Sequence, residues 1–171
     1  PDLVDHLDAE GWQRFSESIV MTADMTTIDL EGSHERIPIR DSNRYLEASL
    51  AVHGRPASMR SGLAEILGAI RPPCGMFVCE SGEGRPIAVA LAIQDNDLCG
   101  VLDVAVAPDH QRRGIGLDLV RTALRFSMHK GAKTGWVQVE ADNEAGRALY
   151  GRLGFKEAYR YVYRAPPGER P

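Results

Sequence analysis

The residues Gln111-Arg112-Arg113-Gly114-Ile115-Gly116 stand where an apolar strand, ending at Ala107-Pro108, gives way to a long helical pattern. A strand–loop–helix junction leaves the first backbone N–H groups of the helix without internal partners. The helix dipole adds positive potential at the same end, so an anion is favoured there. Gly114 and Gly116 lack the Cβ atoms that would hold a phosphate away from the backbone, and Arg112 and Arg113 bring positive charge. Two common phosphate motifs are absent. No GxxxxGK[ST] occurs, and Leu119 stands where the dinucleotide fingerprint GxGxxG needs its third glycine. The adjoining His110 reads as a solvated side chain.

A second group lies further along. Asn143 and Tyr150 are seven residues apart, about 700° around one helix, so they share a face roughly 10 Å apart along the axis. Asp142-Asn143-Glu144 also suits a helix N-cap. Tyr150 departs from an apolar stripe of Ala145, Ala148, Leu149 and Leu153, which fits a half-buried packing tyrosine as well as a chemical one. Tyr159, Tyr161 and Tyr163 put three phenols on one face of a strand. Cys74, Cys79 and Cys99 are odd in number and lack CxxC spacing, so neither a disulfide framework nor a metal site is expected. Reduced thiols of a cytoplasmic protein are the simpler reading.

The elements that must position these groups follow from periodicity. A short helix from Asp2 to Glu10 stops at Gly11, and Phe15 to Ala23 is extended. Glu35 to Arg40 alternates around Ile37 and Ile39 as a strand. Asn43 to His53 and Ser58 to Ile70 are helical, the second with an apolar stripe of Met59, Leu63, Ile66 and Ile70. Pro72-Pro73 then ends the helical run. Met76–Cys79, Ile87–Ile93 and Val101–Ala107 are strands joined by turns short enough for an antiparallel meander. A helix from Gly114 to Lys130, a strand from Gly135 to Ala141, a helix from Glu144 to Leu153 and a strand from Tyr159 to Arg164 complete the order. That order predicts a mixed α/β fold, a central mixed sheet with helices on both faces.

The chain has 171 residues, 43% hydrophobic and 26% charged, which suits a globular domain with a sizeable core. A net charge of −4 speaks against a nucleic-acid partner, whose phosphates need a basic face. No apolar run approaches the roughly 20 residues of a membrane span.

The hexapeptide fits every fixed position of Q/R-x-x-G-x-G/A and resembles the acyl-CoA site of the GNAT superfamily of N-acetyltransferases. Val104-Ala105-Val106-Ala107-Pro108 is similar to that family's fourth strand. Val137 to Asn143, followed by Ala148 to Phe155, resembles its fifth strand and fourth helix. The resemblance runs from about residue 75 to 164. It implies acetyl-CoA as co-substrate, with the backbone of Val104, Ala105 and Val106 pairing with the pantetheine arm. By the same resemblance the amides of Gln111, Arg112, Arg113, Gly114, Ile115 and Gly116 hold the pyrophosphate, and Asn143 bonds the arm.

Tyr150 is then the general acid that protonates the departing CoA thiolate. A phenol with a pKa of ~10 carries its proton at neutral pH and can supply it. Some family members place a base glutamate near the start of the fourth strand, where Gly100 stands here. Asp103 and Glu140 are the available carboxylates on the central strands; each could equally be a structural or charge-binding group. The expected acceptor is an amine-bearing small molecule or peptide, attacked directly in a ternary complex, with no metal. A CoA-binding regulatory module and a longer acyl donor are the alternatives, and oligomeric state is open.

The expected domain covers 26–165, with a loose tail over 166–171. Residues 1–25, where helix, glycine, aromatic and strand echo the chain's end, form either a further strand of the sheet or the tail of an upstream GNAT-like half.

Overall fold

The structure is a computed structural model that describes residues 2–30, 34 and 36–168. In chain order its elements are α1 (Leu3–Ala9), β1 (Gln13–Asp24), α2 (Ser42–His53), α3 (Arg60–Ala69), β2 (Cys74–Glu80), β3 (Pro86–Asp95), β4 (Leu98–Val106), α4 (Ile115–Met128), β5 (Thr134–Glu140), α5 (Glu144–Arg152) and β6 (Lys156–Ala165). This is the mixed α/β order expected from the sequence. Two compact units make up the chain, one spanning Ala23–Val137 and the other formed by the segments before and after it.

The larger unit is built on the meander. β2, β3 and β4 pair antiparallel in sequence, and β4 pairs parallel with the start of β5, so the sheet is mixed. Period-two alternation divides its side chains between two layers. Val89 and Leu91 pack with Tyr45, Ala48 and Val52 of α2 in one buried cluster, to which Met76 and Ile93 add. On the other face Phe77 meets Phe126 of α4 edge to face, with ring centroids 5.7 Å apart. The fully buried Ala88, Ala90 and Ala92 of β3 are the positions intervening between the large residues. α4 buries Leu119, Val120, Ala123, Leu124 and Ser127. Leu117 and Met128, expected on its central stripe, sit towards the edge.

The smaller unit pairs β1 antiparallel with β6, from Gln13↔Ala165 to Thr22↔Lys156. Arg164 forms an ion pair with Asp8 of α1, tying helix and strand together. The three tyrosines of β6 differ in burial: Tyr159 and Tyr163 are exposed, while Tyr161 is half-buried and meets Tyr163 edge to face at 5.5 Å.

Three local expectations change. The strand expected over 35–40 is a single bridge, Ile39↔Met76, with Ile37 exposed; Glu35 lies outside the described residues. Two apolar residues in alternation could not hold a strand without more ladder partners. The helix expected from Ser58 begins as a 3₁₀ turn, Ala57–Met59, and α3 buries none of its residues. The last strand, expected over Tyr159–Arg164, runs instead from Lys156 to the buried Ala165; 166–168 follow it, and 169–171 lie outside the described residues.

Candidate active site

The turn after β4 is held by its own side chains. Gln111 Nε2 donates to the Val106 carbonyl at 3.0 Å, and an Arg113 Nη donates to the Asp109 carbonyl at 2.8 Å. His110, expected to be solvated, is largely covered instead, with Nδ1 2.9 Å from the Asp109 carboxylate. These bonds tie Gln111 and Arg113 back to the loop backbone, and all three of Gln111, Arg112 and Arg113 are exposed.

Arg112 and Gly114 both adopt left-handed backbone, with φ of 58° and 80°. The step from left-handed Gly114 into the right-handed first turn of α4 turns successive N–H groups towards one side, the geometry of an anion-binding nest. No side chain caps α4, whose first internal bond at this end runs from Asp118 N to Gly114 O at 3.0 Å. A Cβ on Gly114 would meet nothing within 4 Å, so glycine is needed there for its positive φ, with open space outside it. Gly116 is different: it is buried on the packed face of α4.

β4 carries a bulge just before the turn. Its register with β3 passes from Leu91↔Leu102 to Val89↔Ala105, so two residues, Asp103 and Val104, stand opposite Ala90 alone. Asp103 takes φ 51°, a left-handed value that aspartate tolerates better than most residues. The bulge brings Ala105, not Val104, onto the face of Leu102. Pairing with β5 covers only Leu98, Cys99 and Gly100. Among the described residues, Val101 to Val106 therefore have no ladder to β5, and an extended ligand could pair with that edge.

Asp103 is firmly held. Tyr45 and Ser49 donate to Oδ2 at 2.9 and 2.6 Å, and Arg55 donates to Oδ1 at 2.8 Å. His53 Nε2 lies 3.0 Å from Oδ1, near enough for charge attraction though poorly aligned for a hydrogen bond. Burial alone would raise this carboxyl; His53, Ser49 and Arg55 outweigh it and hold the group well below the usual carboxylate range. A carboxylate so stabilised is a weak proton acceptor, so its surroundings favour an anchor over the base. Sequence reasoning missed its partners. One signal was available: a charged residue in the apolar run Val101-Leu102-Asp103-Val104 needs a counter-ion.

Gly100, at the position where the family resemblance looked for a glutamate, is occupied from outside. A Cβ there would lie 2.5 Å from Trp136 Cζ2. The indole covers the place where a side chain would project. Gly100→Ala is expected to cost about 1–3 kcal/mol through overpacking, checked by urea denaturation; a midpoint unchanged from the parent would show that Trp136 moves freely.

In the smaller unit Asn143 caps α5, its Oδ1 accepting from Gly146 N at 2.8 Å. Ala145 and Ala148, expected in the core stripe, are exposed, whereas Tyr150 and Leu153 are buried. The buried face of α5 is thus rotated towards Gly146, Leu149, Tyr150 and Leu153. The Tyr150 ring packs on Phe155 at 5.9 Å, and burial pushes its phenol up to about 12. Glu140 is exposed at the end of β5.

Cys79 and Cys99 are buried free thiols, and burial pushes Cys99 up to about 11, away from the thiolate that nucleophilic chemistry requires. Among the described residues no helix is long and apolar enough to cross a membrane.

Residues 40–155 match the model of the "Acetyltransferase (GNAT) family". The chain is 37% identical over 75 residues to the [Ribosomal protein bS18]-alanine N-acetyltransferase of Escherichia coli, a match covering 44% of this chain and 51% of that enzyme. It thus spans about half the length of this curated relative. Its fold is similar to a GCN5-related N-acetyltransferase from Sphaerobacter thermophilus, with a TM-score of 0.73, 18% identity, and coverage of 97% of this chain and 57% of that one. It is also similar to a tandem GNAT protein from the clavulanic acid biosynthesis pathway, with a TM-score of 0.75, 17% identity, and coverage of 100% and 60%.

Proposed function

The chain belongs to the acetyltransferase (GNAT) family, and from that premise we propose that it transfers an acetyl group from acetyl-CoA directly to an amine. The observation that carries this reading is the uncapped start of α4 behind two left-handed residues, directly after the stretch Val101–Val106 of β4, which among the described residues has no ladder to β5. The nest and Arg112 suit a pyrophosphate, and the stretch Val104–Val106, which among the described residues has no ladder to β5, suits an amide-bearing arm. Calorimetric titration with acetyl-CoA and assay of CoA release with amines test the two halves of the reading. Binding without release from any amine would favour a CoA-binding regulatory module. A specific observation supports that second reading: Trp136 leaves no room for an acidic side chain at Gly100.

In the proposed reaction the unprotonated amine attacks the thioester carbonyl, and the tetrahedral intermediate collapses with cleavage of the C–S bond. The CoA sulfur receives a proton from Tyr150, and the nitrogen releases its proton to solvent or to Glu140. Tyr150 takes this role from the family resemblance, supported by a phenol that stays protonated across the neutral range. Asp103 anchors α2 to the bulge through its bonds to Tyr45 and Ser49. The high thiol pKa of Cys99 supports direct transfer over an acyl-enzyme.

Gly114→Val forces a β-branched residue to a positive φ, a strain of about 1–2 kcal/mol. We expect acetyl-CoA affinity to fall about tenfold by calorimetry, with kcat at saturation nearly unchanged. Undiminished affinity would remove the pyrophosphate from this turn.

A further inference from the structure

α3 carries Leu63, Ile66 and Leu67, with Ile70 just after its end, yet it buries none of its residues, and Ile66 is 65% exposed. These side chains face a cavity of about 290 Å³, closed on the sheet side by Leu91, Ile93 and Leu102. One end is polar, formed by Tyr45, Ser49, Arg55 and Asp103. This end has little unbalanced charge to offer. The Asp103 carboxylate already accepts from Tyr45, Ser49 and Arg55, and the guanidinium of Arg55 offsets its charge. A second cation entering here would meet Arg55. The remaining walls are hydrocarbon. Asp103 is followed in the chain by Val104, where the unpaired edge of β4 continues.

We propose that this cavity selects the acceptor by receiving an uncharged apolar group, such as a phenyl or branched alkyl group, carried on a single primary amine. The inference rests on the acetyl-transfer reading above. It goes beyond that reading by naming the substrate class: a monoamine with a short apolar body, not a polyamine or a hydrophilic amine. The volume sits at the lower end of small-molecule sites, roughly 300–1,000 Å³, which suits one such group and excludes a large ring system. Apolar pockets discriminate by about ten- to two-hundredfold for each small group they accommodate or lack.

The test measures CoA release with phenethylamine, 2-aminoethanol and spermidine, using the whole chain and two variants. Leu63→Trp fills the cavity. Ile66→Ser removes apolar wall at a position exposed enough that folding is unaffected. In the parent, kcat/KM for phenethylamine should exceed that for 2-aminoethanol and spermidine at least tenfold. Leu63→Trp should raise the KM for phenethylamine at least tenfold, and Ile66→Ser severalfold, with the KM for acetyl-CoA unchanged in both. Equal or reversed preference, or a preference that both variants leave intact, overturns the inference while acetyl transfer stands. If no amine releases CoA, the transfer reading fails, and calorimetry with phenethylamine decides the cavity separately. Saturable binding to the parent that Ile66→Ser weakens supports an apolar-amine site, and absence of binding overturns it.

Discussion

Replacing Tyr150 with phenylalanine is expected to lower kcat about a hundredfold, the lower end of what a general acid contributes. The KM for acetyl-CoA should move by less than about twofold. The substitution keeps the ring that packs on Phe155 at 5.9 Å, so the thermal midpoint should stay within a degree or two of the parent. That separates a chemical role from packing, because Tyr150→Ala would remove both and destabilise the fold. The pH profile gives an independent check. Burial pushes the phenol up to about 12, so the acid stays protonated throughout the usual assay range. The rate should rise with pH as the amine loses its proton, with no descending limb below about pH 10. A descending limb near pH 9 that Tyr150→Phe abolishes would show the phenol titrating far below this value. Unchanged turnover in the variant would transfer the acid's task to another group.

Removing the Asp103 carboxylate should have the largest effect on stability. Asp103→Ala strands the Arg55 guanidinium and takes the acceptor from Tyr45 and Ser49, at an expected cost of about 3 kcal/mol at pH 7. For a chain of this size the corresponding fall in Tm is roughly 6–12 °C. Asp103→Asn isolates the charge, because asparagine also tolerates the left-handed φ of 51°. The sign of the pH dependence follows from the lowered acidity constant. A carboxyl whose folded pKa lies below its unfolded value contributes stability above the unfolded pKa, ~3.9, and loses it as pH falls towards the folded value. The gap between parent and Asp103→Asn should therefore be full at neutral pH and narrow below about pH 4. Urea denaturation at pH 7 and pH 3 measures it, and a gap that widens in acid would contradict the ion-pair account.

Apart from the segment 35–40, the kinds of element and their order were legible in sequence periodicity. Alternation in Ile87–Ile93 and the three- and four-residue steps of Leu117–Met128 are local patterns; the first maps onto β3, which packing buries on both faces, and the second onto α4. The hexapeptide Gln111–Gly116 was legible for the same reason. Its glycines and arginines are adjacent in the chain, and an anion site at a helix start is made largely of neighbouring backbone.

What the tertiary structure decided depends on residues far apart in sequence. The β4 bulge leaves no glycine or proline signal, because Asp103 itself accepts the left-handed conformation. Asp103 meets Tyr45, Ser49, His53 and Arg55 only because α2 packs across the sheet, and no local pattern encodes that meeting. It changed the reading of Asp103 from a possible base to an anchored, low-pKa carboxylate. Gly100 looked like a missing glutamate in the chain; in space it is the floor beneath Trp136. The buried face of α5 was misplaced because its alanines are compatible with either side of a helix, and only packing against Phe155 and Val139 selects one. Local chemistry can be read along a chain, whereas the environment that sets acidity, access and selectivity is created when distant segments exclude water together.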